Sequence, residues 1–266
     1  MSVVFCPVAS GSNGNSVYIG SKETRVLIDA GLSGIRIEKG LESLASPACK
    51  LDAIFITHEH SDHIQGAGIL SRRHNIPLYA TEKTWQRIER HNMIGKIKPE
   101  NKKTVCHGQA CRIKDIELVP FSIPHDAADP VGYKIFVEDY KISVATDIGE
   151  PTDEIKESIA DSHVILLESN HDMEMLQRGR YPQKLKDRVM GKRGHLSNVN
   201  AGLMLAEIMS SRTKYVYLGH LSEENNRPLI AMDTVRTILQ EKKIRVGCDV
   251  MLMLAERGYV SQAVRL

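Results

Sequence analysis

Short apolar runs bounded by turn residues mark the first third of the chain. Segments 3–8, 16–19 and 25–28 read as strands, and the loop Ser10-Gly11-Ser12-Asn13-Gly14-Asn15 between the first two has the composition of a hairpin turn. The run Leu51-Asp52-Ala53-Ile54-Phe55-Ile56-Thr57 reads as a buried strand, and similar runs cover 118–123, 141–145, 164–167 and 214–218. Helical patterning predicts helices over 35–44, 64–73, 82–93, 152–160, 182–190, 197–211 and 227–242, with a shorter one over 172–177. In the helix starting at Ser197, Leu203, Leu205, Ala206, Ile208 and Met209 read as a core-facing stripe. Segment 96–103 reads as a polar loop. Strand-rich segments (2–31 and 104–147) alternate with helical ones, and no Pro/Ser-rich linker or repeat interrupts them. This predicts a single domain over 1–266 of the α/β or α+β class.

The chemistry gathers where predicted strands end. Thr57-His58-Glu59-His60-Ser61-Asp62-His63 follows the buried run directly, so four metal-ligating side chains fall where a strand gives way to a helix. His58 and His60 are two apart and share a side on extended backbone. Asp62 and His63 are adjacent and diverge, which suits a second ion. Without a cation these groups would crowd and desolvate one another; imidazole plus carboxylate suits Zn²⁺ or a similar divalent ion. His125, Asp147, His220 and Glu168 also lie at the ends of predicted strands, and His195 precedes a helix capped by Ser197 or Asn198. Taken singly, either histidine could be structural and Asp147 could make an Asx turn.

The pattern His-x-His-x-Asp-His after a buried strand resembles the metallo-β-lactamase superfamily. Asp29-Ala30-Gly31, Pro124-His125-Asp126, Ala145-Thr146-Asp147-Ile148-Gly149 and Leu218-Gly219-His220-Leu221-Ser222 look like its other motifs, in order. Glu168-Ser169-Asn170-His171-Asp172 and Gly194-His195-Leu196-Ser197-Asn198 look most like its YycJ/WalJ group of bacterial DNA exonucleases, encoded beside a two-component signalling system. The resemblance implies an αββα sandwich, two mixed sheets flanked by helices. It also implies two divalent ions, Zn²⁺ or Mn²⁺: His58, His60 and His125 would hold one, Asp62, His63 and His220 the other, with Asp147 bridging them. Asp29 would buttress the His58–His63 loop from behind. Ions roughly 3.5–4 Å apart would activate a bridging hydroxide for in-line attack at phosphorus. Asp62 would orient or deprotonate the water. Glu168 and His195 would pair as in the RNase Z-like branch, the histidine contacting phosphate or protonating the leaving oxygen. His171 would supplement the second ion, line the groove or simply open a helix.

Composition narrows the setting. Five cysteines without a Cys-x-x-Cys pair fit reduced thiols. The N-terminal sequence lacks signal-peptide character, and no apolar run approaches the ~20 residues of a membrane span. A cytoplasmic protein without membrane insertion is expected. The net charge of +2 says little about partners. Between residues 178 and 193, however, Arg178, Arg180, Lys184, Lys186, Arg188, Lys192 and Arg193 oppose only Asp187. This strip, with Tyr181 available for stacking, could track a phosphodiester backbone or be a solvated helical face. Arg72, Arg73 and His74 with Arg87 and Arg90 could extend it. His74, His91, His107 and His163 lack companions at ligand spacing. The expected function is a two-metal phosphodiesterase, most simply a 5′-to-3′ DNA exonuclease. A small-substrate hydrolase for a cyclic phosphodiester or thioester, a regulatory partner of a two-component system, and tRNA processing are the alternatives.

Overall fold

The computed structural model describes residues 3–266, so the first residues of the expected domain and of the 2–31 segment lie outside the described residues. The first half of the chain runs β1 (Val4–Ala9), β2 (Ser16–Gly20), β3 (Arg25–Ile28), α1 (Gly34–Ser43), β4 (Ala53–Phe55), α2 (Ser61–Ile64), α3 (Ala67–His74), β5 (Leu78–Ala80), α4 (Glu82–Arg90) and β6 (Lys102–Thr104). The second half runs β7 (Cys111–Ile113), β8 (Ile116–Ser122), β9 (Val131–Val137), β10 (Tyr140–Ala145), α5 (Asp153–Ile159), β11 (Val164–Glu168), α6 (Met173–Arg178), α7 (Gln183–Met190), α8 (Asn198–Ile208), β12 (Tyr215–Gly219), α9 (Pro228–Glu241), β13 (Met251–Leu254) and β14 (Val264–Arg265).

These strands form two seven-stranded sheets, ordered β14-β1-β2-β3-β4-β5-β6 and β13-β12-β11-β10-β9-β8-β7. Each is mixed: β1–β3 and β7–β10 pair as antiparallel meanders, whereas β3–β6 and β10–β13 pair in parallel. Parallel pairing requires crossovers, and most of these are helical, so β3, β4, β10, β11 and β12 all end on the same side of their sheets. That shared edge is where the polar loops gather.

The sheets meet face to face over Phe5, Ile19, Ile28, Phe55, Tyr133, Leu166 and Tyr217. Phe5 packs on Tyr217 at 5.3 Å between ring centroids, and Phe55 meets Tyr133 edge-on at 5.6 Å, so aromatic pairs span the two layers. Tyr133 is fully buried and its hydroxyl donates to the Ile56 carbonyl at 2.9 Å, tying the second sheet to the end of β4. The outer faces are covered by α1, α3 and α4 with Trp85 on one side and by α5, α8 and α9 on the other.

Three expectations need correction. The helix predicted over 64–73 instead begins at Ser61, breaks after Ile64 and resumes at Ala67. Gly66 sits in the break, where an added Cβ would lie 2.3 Å from the Leu32 carbonyl. Segment 96–103 is not only a loop: a 3₁₀ turn leads into β6, a polar strand at the sheet edge whose side chains need no apolar signal. Leu203 is 48% exposed, because α8 buries Ala201, Met204, Leu205 and Ile208 at i, i+3, i+4 and i+7, which leaves Leu203 off the stripe.

Tyr133→Phe leaves the Ile56 carbonyl without its partner in the core, and should lower unfolding free energy by about 1–3 kcal/mol in urea titrations. Cys6 is buried and desolvation pushes its thiol pKa up to about 12. In a thiol-reagent time course at pH 8, exposed Cys49, Cys106 and Cys248 should react at once and Cys6 only after unfolding.

Candidate active site

Three left-handed backbone turns gather at the shared sheet edge. Asp29 just after β3, Asp147 two residues after β10 and His220 just after β12 all adopt positive φ, at 62°, 60° and 53°. Left-handed backbone is disfavoured for residues with a Cβ, and Asp tolerates it better than most. Three such residues at three strand ends turn their side chains into one space, a pattern associated with functional sites. Gly31 allows the loops to close: a Cβ there would lie 1.6 Å from the Asp62 carbonyl oxygen.

The His58–His63 loop supplies one side of this space. His58, His60 and His125 bring their ring nitrogens within 4.8 Å of one another, and so do the ligand atoms of Asp62, His63 and His220. Asp62 and His63 converge rather than diverge, with His63 Nε2 3.5 Å from Asp62 Oδ2, because the early start of α2 puts both on a helical turn. Asp147 lies between the two triads, 3.2 Å from His63 Nε2 through Oδ2 and 3.7 Å from His125 Nε2 through Oδ1.

Behind this cluster two buried carboxylates anchor the histidines. Asp29 Oδ1 accepts from the Thr57 amide at 2.8 Å, while Oδ2 accepts from the Thr57 hydroxyl at 2.8 Å and from His63 Nδ1 at 2.7 Å. Glu168, fully buried at the end of β11, does the same on the opposite side. Its Oε1 accepts from His220 Nδ1 at 2.7 Å and His195 Nδ1 at 2.9 Å, and its Oε2 from the amides of Ile148 at 2.6 Å and Leu196 at 3.0 Å. The pairing of Glu168 with His195 is therefore half of the arrangement, since Glu168 also orients His220. Both oxygens are thus engaged, Oε1 in orienting two imidazoles, and Glu168 also lies within ligand distance of Asp147, His195 and His220.

On the side away from these anchors, hydrogen bonds are missing. His58 Nε2, His220 Nε2 and Asp147 Oδ2 are buried without hydrogen bonds. A buried polar atom left unsatisfied is costly, and the groups His58–His63–Asp147 and Asp62–His63–His220, each with ligand atoms within 4.8 Å of one another, fit divalent cations. The electrostatics agree. Burial would depress the pKa of His220, but Asp147, Asp62 and Glu168 outweigh it and push it up to about 10. His63 is likewise lowered by burial yet raised well above its usual value by Asp29, Asp147 and Asp62. Asp147 resists burial because His220 and His63 hold it well below the carboxylate range. Without an ion these carboxylates stabilise protons on histidines whose lone pairs an ion would use. Metal uptake should therefore release protons, and apparent affinity should rise with pH from 6 to 9. Calorimetry in buffers of different ionisation enthalpy would read the number released; none would sink the assignment.

The site opens into a cleft of about 250 Å³ lined by His60, Asp62, His125, Asp147, His195 and His220 on its floor and by Tyr181, Leu185, Arg188 and Val189 on one wall. His195 is 21% exposed, its Nδ1 fixed on Glu168. Burial lowers its pKa, but the charge and hydrogen bond of Glu168 leave it raised.

Of the basic strip, only Arg188 lines the cleft, together with Tyr181. Arg178 pairs with Glu174 at 2.6 Å and Lys192 with Glu150 at 3.3 Å, while Arg180, Lys184 and Arg193 are exposed outside the cleft. His171 does not line the cleft either: it is 1% exposed, forms a bridge with Ser197, and burial lowers its pKa to about 4. Four contributors escape sequence reasoning. Ser10 Oγ accepts from the His220 amide at 2.8 Å, Asn15 Nδ2 lies 3.1 Å from His63 Nε2, Asn170 Nδ2 donates to the His220 carbonyl at 2.9 Å, and Asp126 holds Arg188. Only the polar composition of the first hairpin loop signalled the first two.

A family model for the β-lactamase superfamily domain matches residues 24–220. The chain belongs to the metallo-β-lactamase superfamily. It is 40% identical over 247 residues to the exodeoxyribonuclease YycJ of Bacillus anthracis, covering 93% of both chains, and 39% identical to the exodeoxyribonuclease WalJ of Streptococcus pneumoniae, covering 91% and 90%. Among solved structures, the metallo-β-lactamase fold protein YhfI from Bacillus subtilis superposes with a TM-score of 0.74 over 99% of this chain and all of its own at 14% identity. The Zn²⁺-bound PqqB of Methylobacterium extorquens gives 0.73 with the same coverage and identity, a likeness that shows the fold alone. The two mixed, helix-flanked sheets are those of the metallo-β-lactamase fold, and the chain is a metal-dependent hydrolase of this superfamily.

Glu168→Gln keeps the shape but removes the charge that holds two imidazoles. It should lower bound metal per chain and kcat together, by about 10–100-fold in affinity, read by elemental analysis and turnover; full metal retention with unchanged kcat would contradict the positioning role.

Proposed function

We propose that this chain is an exodeoxyribonuclease that removes nucleotides in the 5′-to-3′ direction with two divalent ions. The observation that carries the metal-dependent chemistry is that His58 Nε2, Asp147 Oδ2 and His220 Nε2 are buried without hydrogen bonds, each within a group of ligand atoms no more than 4.8 Å apart, and that Asp147 and His220 line an open cleft. DNA as substrate is supported by the identity to YycJ and WalJ across nearly the whole chain.

On this reading His58, His60 and His125 would hold one ion and Asp62, His63 and His220 the other, with Asp147 near both. Divalent ions, Zn²⁺ or Mn²⁺, would acidify water and neutralise charge on the phosphoryl oxygens. The protein supplies the remainder. Asp62 lines the cleft, is held in its charged form by His63 and His220 against the effect of burial, and takes or orients the attacking water's proton. A bond forms from water oxygen to phosphorus as the bond from phosphorus to the 3′ oxygen of the terminal nucleotide breaks. His195, with Nδ1 on Glu168, has Nε2 left to protonate that oxygen, and its raised pKa keeps the proton available near neutrality. Among the described residues no helix is long and apolar enough to cross a membrane. A DNA substrate would place the enzyme in the cytoplasm.

The test is linear duplex DNA labelled at either end, incubated with Mn²⁺- or Zn²⁺-loaded protein and with Asp147→Ala as contamination control. Mononucleotides should appear from the 5′ end only, and not with the variant. Turnover of bis-p-nitrophenyl phosphate without DNA cleavage would instead assign a small-substrate hydrolase. His195→Ala should retain its metal while kcat falls by about 10²–10⁴; loss of metal in parallel would assign His195 to the metal shell.

A further inference from the structure

The helix α7 differs from its neighbours. None of its residues is buried, whereas α6 buries Leu176 and α8 buries a full stripe. An apolar stripe on a helix ordinarily covers a core. Here Leu185 and Val189, one turn apart, line the cleft instead, with Arg188 beside them and Tyr181 just before the helix on the same wall.

Arg188 is set in place from across the cleft. Its Nε donates to Asp126 Oδ2 at 2.6 Å, and Asp126 directly follows His125, so the guanidinium is anchored to the rim of the site. Nε is the only guanidinium nitrogen with a hydrogen bond among the described residues, and the side chain is 58% exposed. The terminal nitrogens keep their donors for an anion, in the fork geometry that suits phosphate. The volume of about 250 Å³ lies below the roughly 300–1,000 Å³ of pockets that enclose drug-sized ligands. It is far too small for a duplex.

We propose that this wall is a subsite for one unpaired terminal nucleotide: Tyr181, Leu185 and Val189 take the base, and Arg188, positioned by Asp126, takes a phosphate. The proposal rests on the exonuclease reading. It requires the terminal base to leave its partner before reaction, which is easiest at frayed or mismatched ends.

The experiment uses metal-loaded protein and a 3′-labelled, phosphorothioate-linked single-stranded oligonucleotide, with anisotropy recorded across a salt series. Arg188→Gln should raise Kd about tenfold and reduce the slope of log K against log salt by about 0.7, the value for one phosphate contact on a single strand. Asp126→Asn should weaken binding in the same direction, and the double variant should bind no more weakly than Arg188→Gln alone. Tyr181→Ala should raise Kd about tenfold with the salt slope unchanged. Wild-type protein should digest a duplex with a mismatched terminal pair faster than a fully paired one. Arg236→Gln on α9, outside the cleft, controls for general loss of charge. If Arg188→Gln keeps the wild-type Kd and slope while the wild type cleaves DNA, the subsite is wrong and the exonuclease reading stands. Additive losses in the double variant would refute the positioning role of Asp126. Wild-type protein that neither binds nor cleaves DNA would overturn the exonuclease reading itself.

Discussion

A single buried carboxylate holds the second half of the site together. Glu168 sits at the end of β11 with no solvent contact, where an unpaired charge would cost several kcal/mol or take up a proton instead. Four donors remove that penalty, and they come from three places: the loop after β10, the loop before α8, which supplies two, and the end of β12. The loops are thus fixed relative to one another by one charge, which His195 and His220 hold down to a pKa of about 2 against the upward pull of burial. Removing the acid would do more than loosen a histidine. It would leave two backbone amides in the interior without acceptors.

The first half is built on the same plan with Asp29 in that role, and the symmetry has a backbone origin. Strands β3, β10 and β12 each end in a left-handed residue rather than a smooth exit. Such residues cost of the order of 1–3 kcal/mol each and persist only where their surroundings over-determine them. Hydrogen bonds from Thr57 and His63 to Asp29, and from His220 to Glu168 and Ser10, over-determine two of them, and ion pairs with His63 and His220 hold Asp147. Strain and hydrogen bonding are two sides of one arrangement that turns side chains inward.

Much of this was legible in the chain. The strand over 25–28 was read with its observed limits, and most helices fell within two or three residues, because their patterns are strong and bounded by turn residues. The gathering of His58, His60, Asp62, His63, His125, Asp147 and His220 could be read because each falls at a predicted strand end, and parallel strands share one edge. What stayed hidden depends on side-chain direction. Charge clustering named seven cations, but it could not say that Arg188 alone would face the cleft, since that follows from the phase of α7 and from Asp126, far away in sequence. The divergence expected of Asp62 and His63 failed for a related reason: an early helical turn overrode the extended geometry. Asn15 and Ser10 carried no signal beyond polarity, because their partners lie 48 and 210 residues away.

The site is also a seam. His58, His60, Asp62 and His63 come with the first sheet, and His125, Asp147, His195 and His220 with the second, while the closing strand β14 returns to pair with β1. Neither half carries a complete set of ligand groups. A divalent ion bound between them would behave as a clasp across the two layers, favouring the assembled chain over any state in which the halves have parted. By mass action its concentration would then set how firmly the molecule stays folded as well as how fast it turns over.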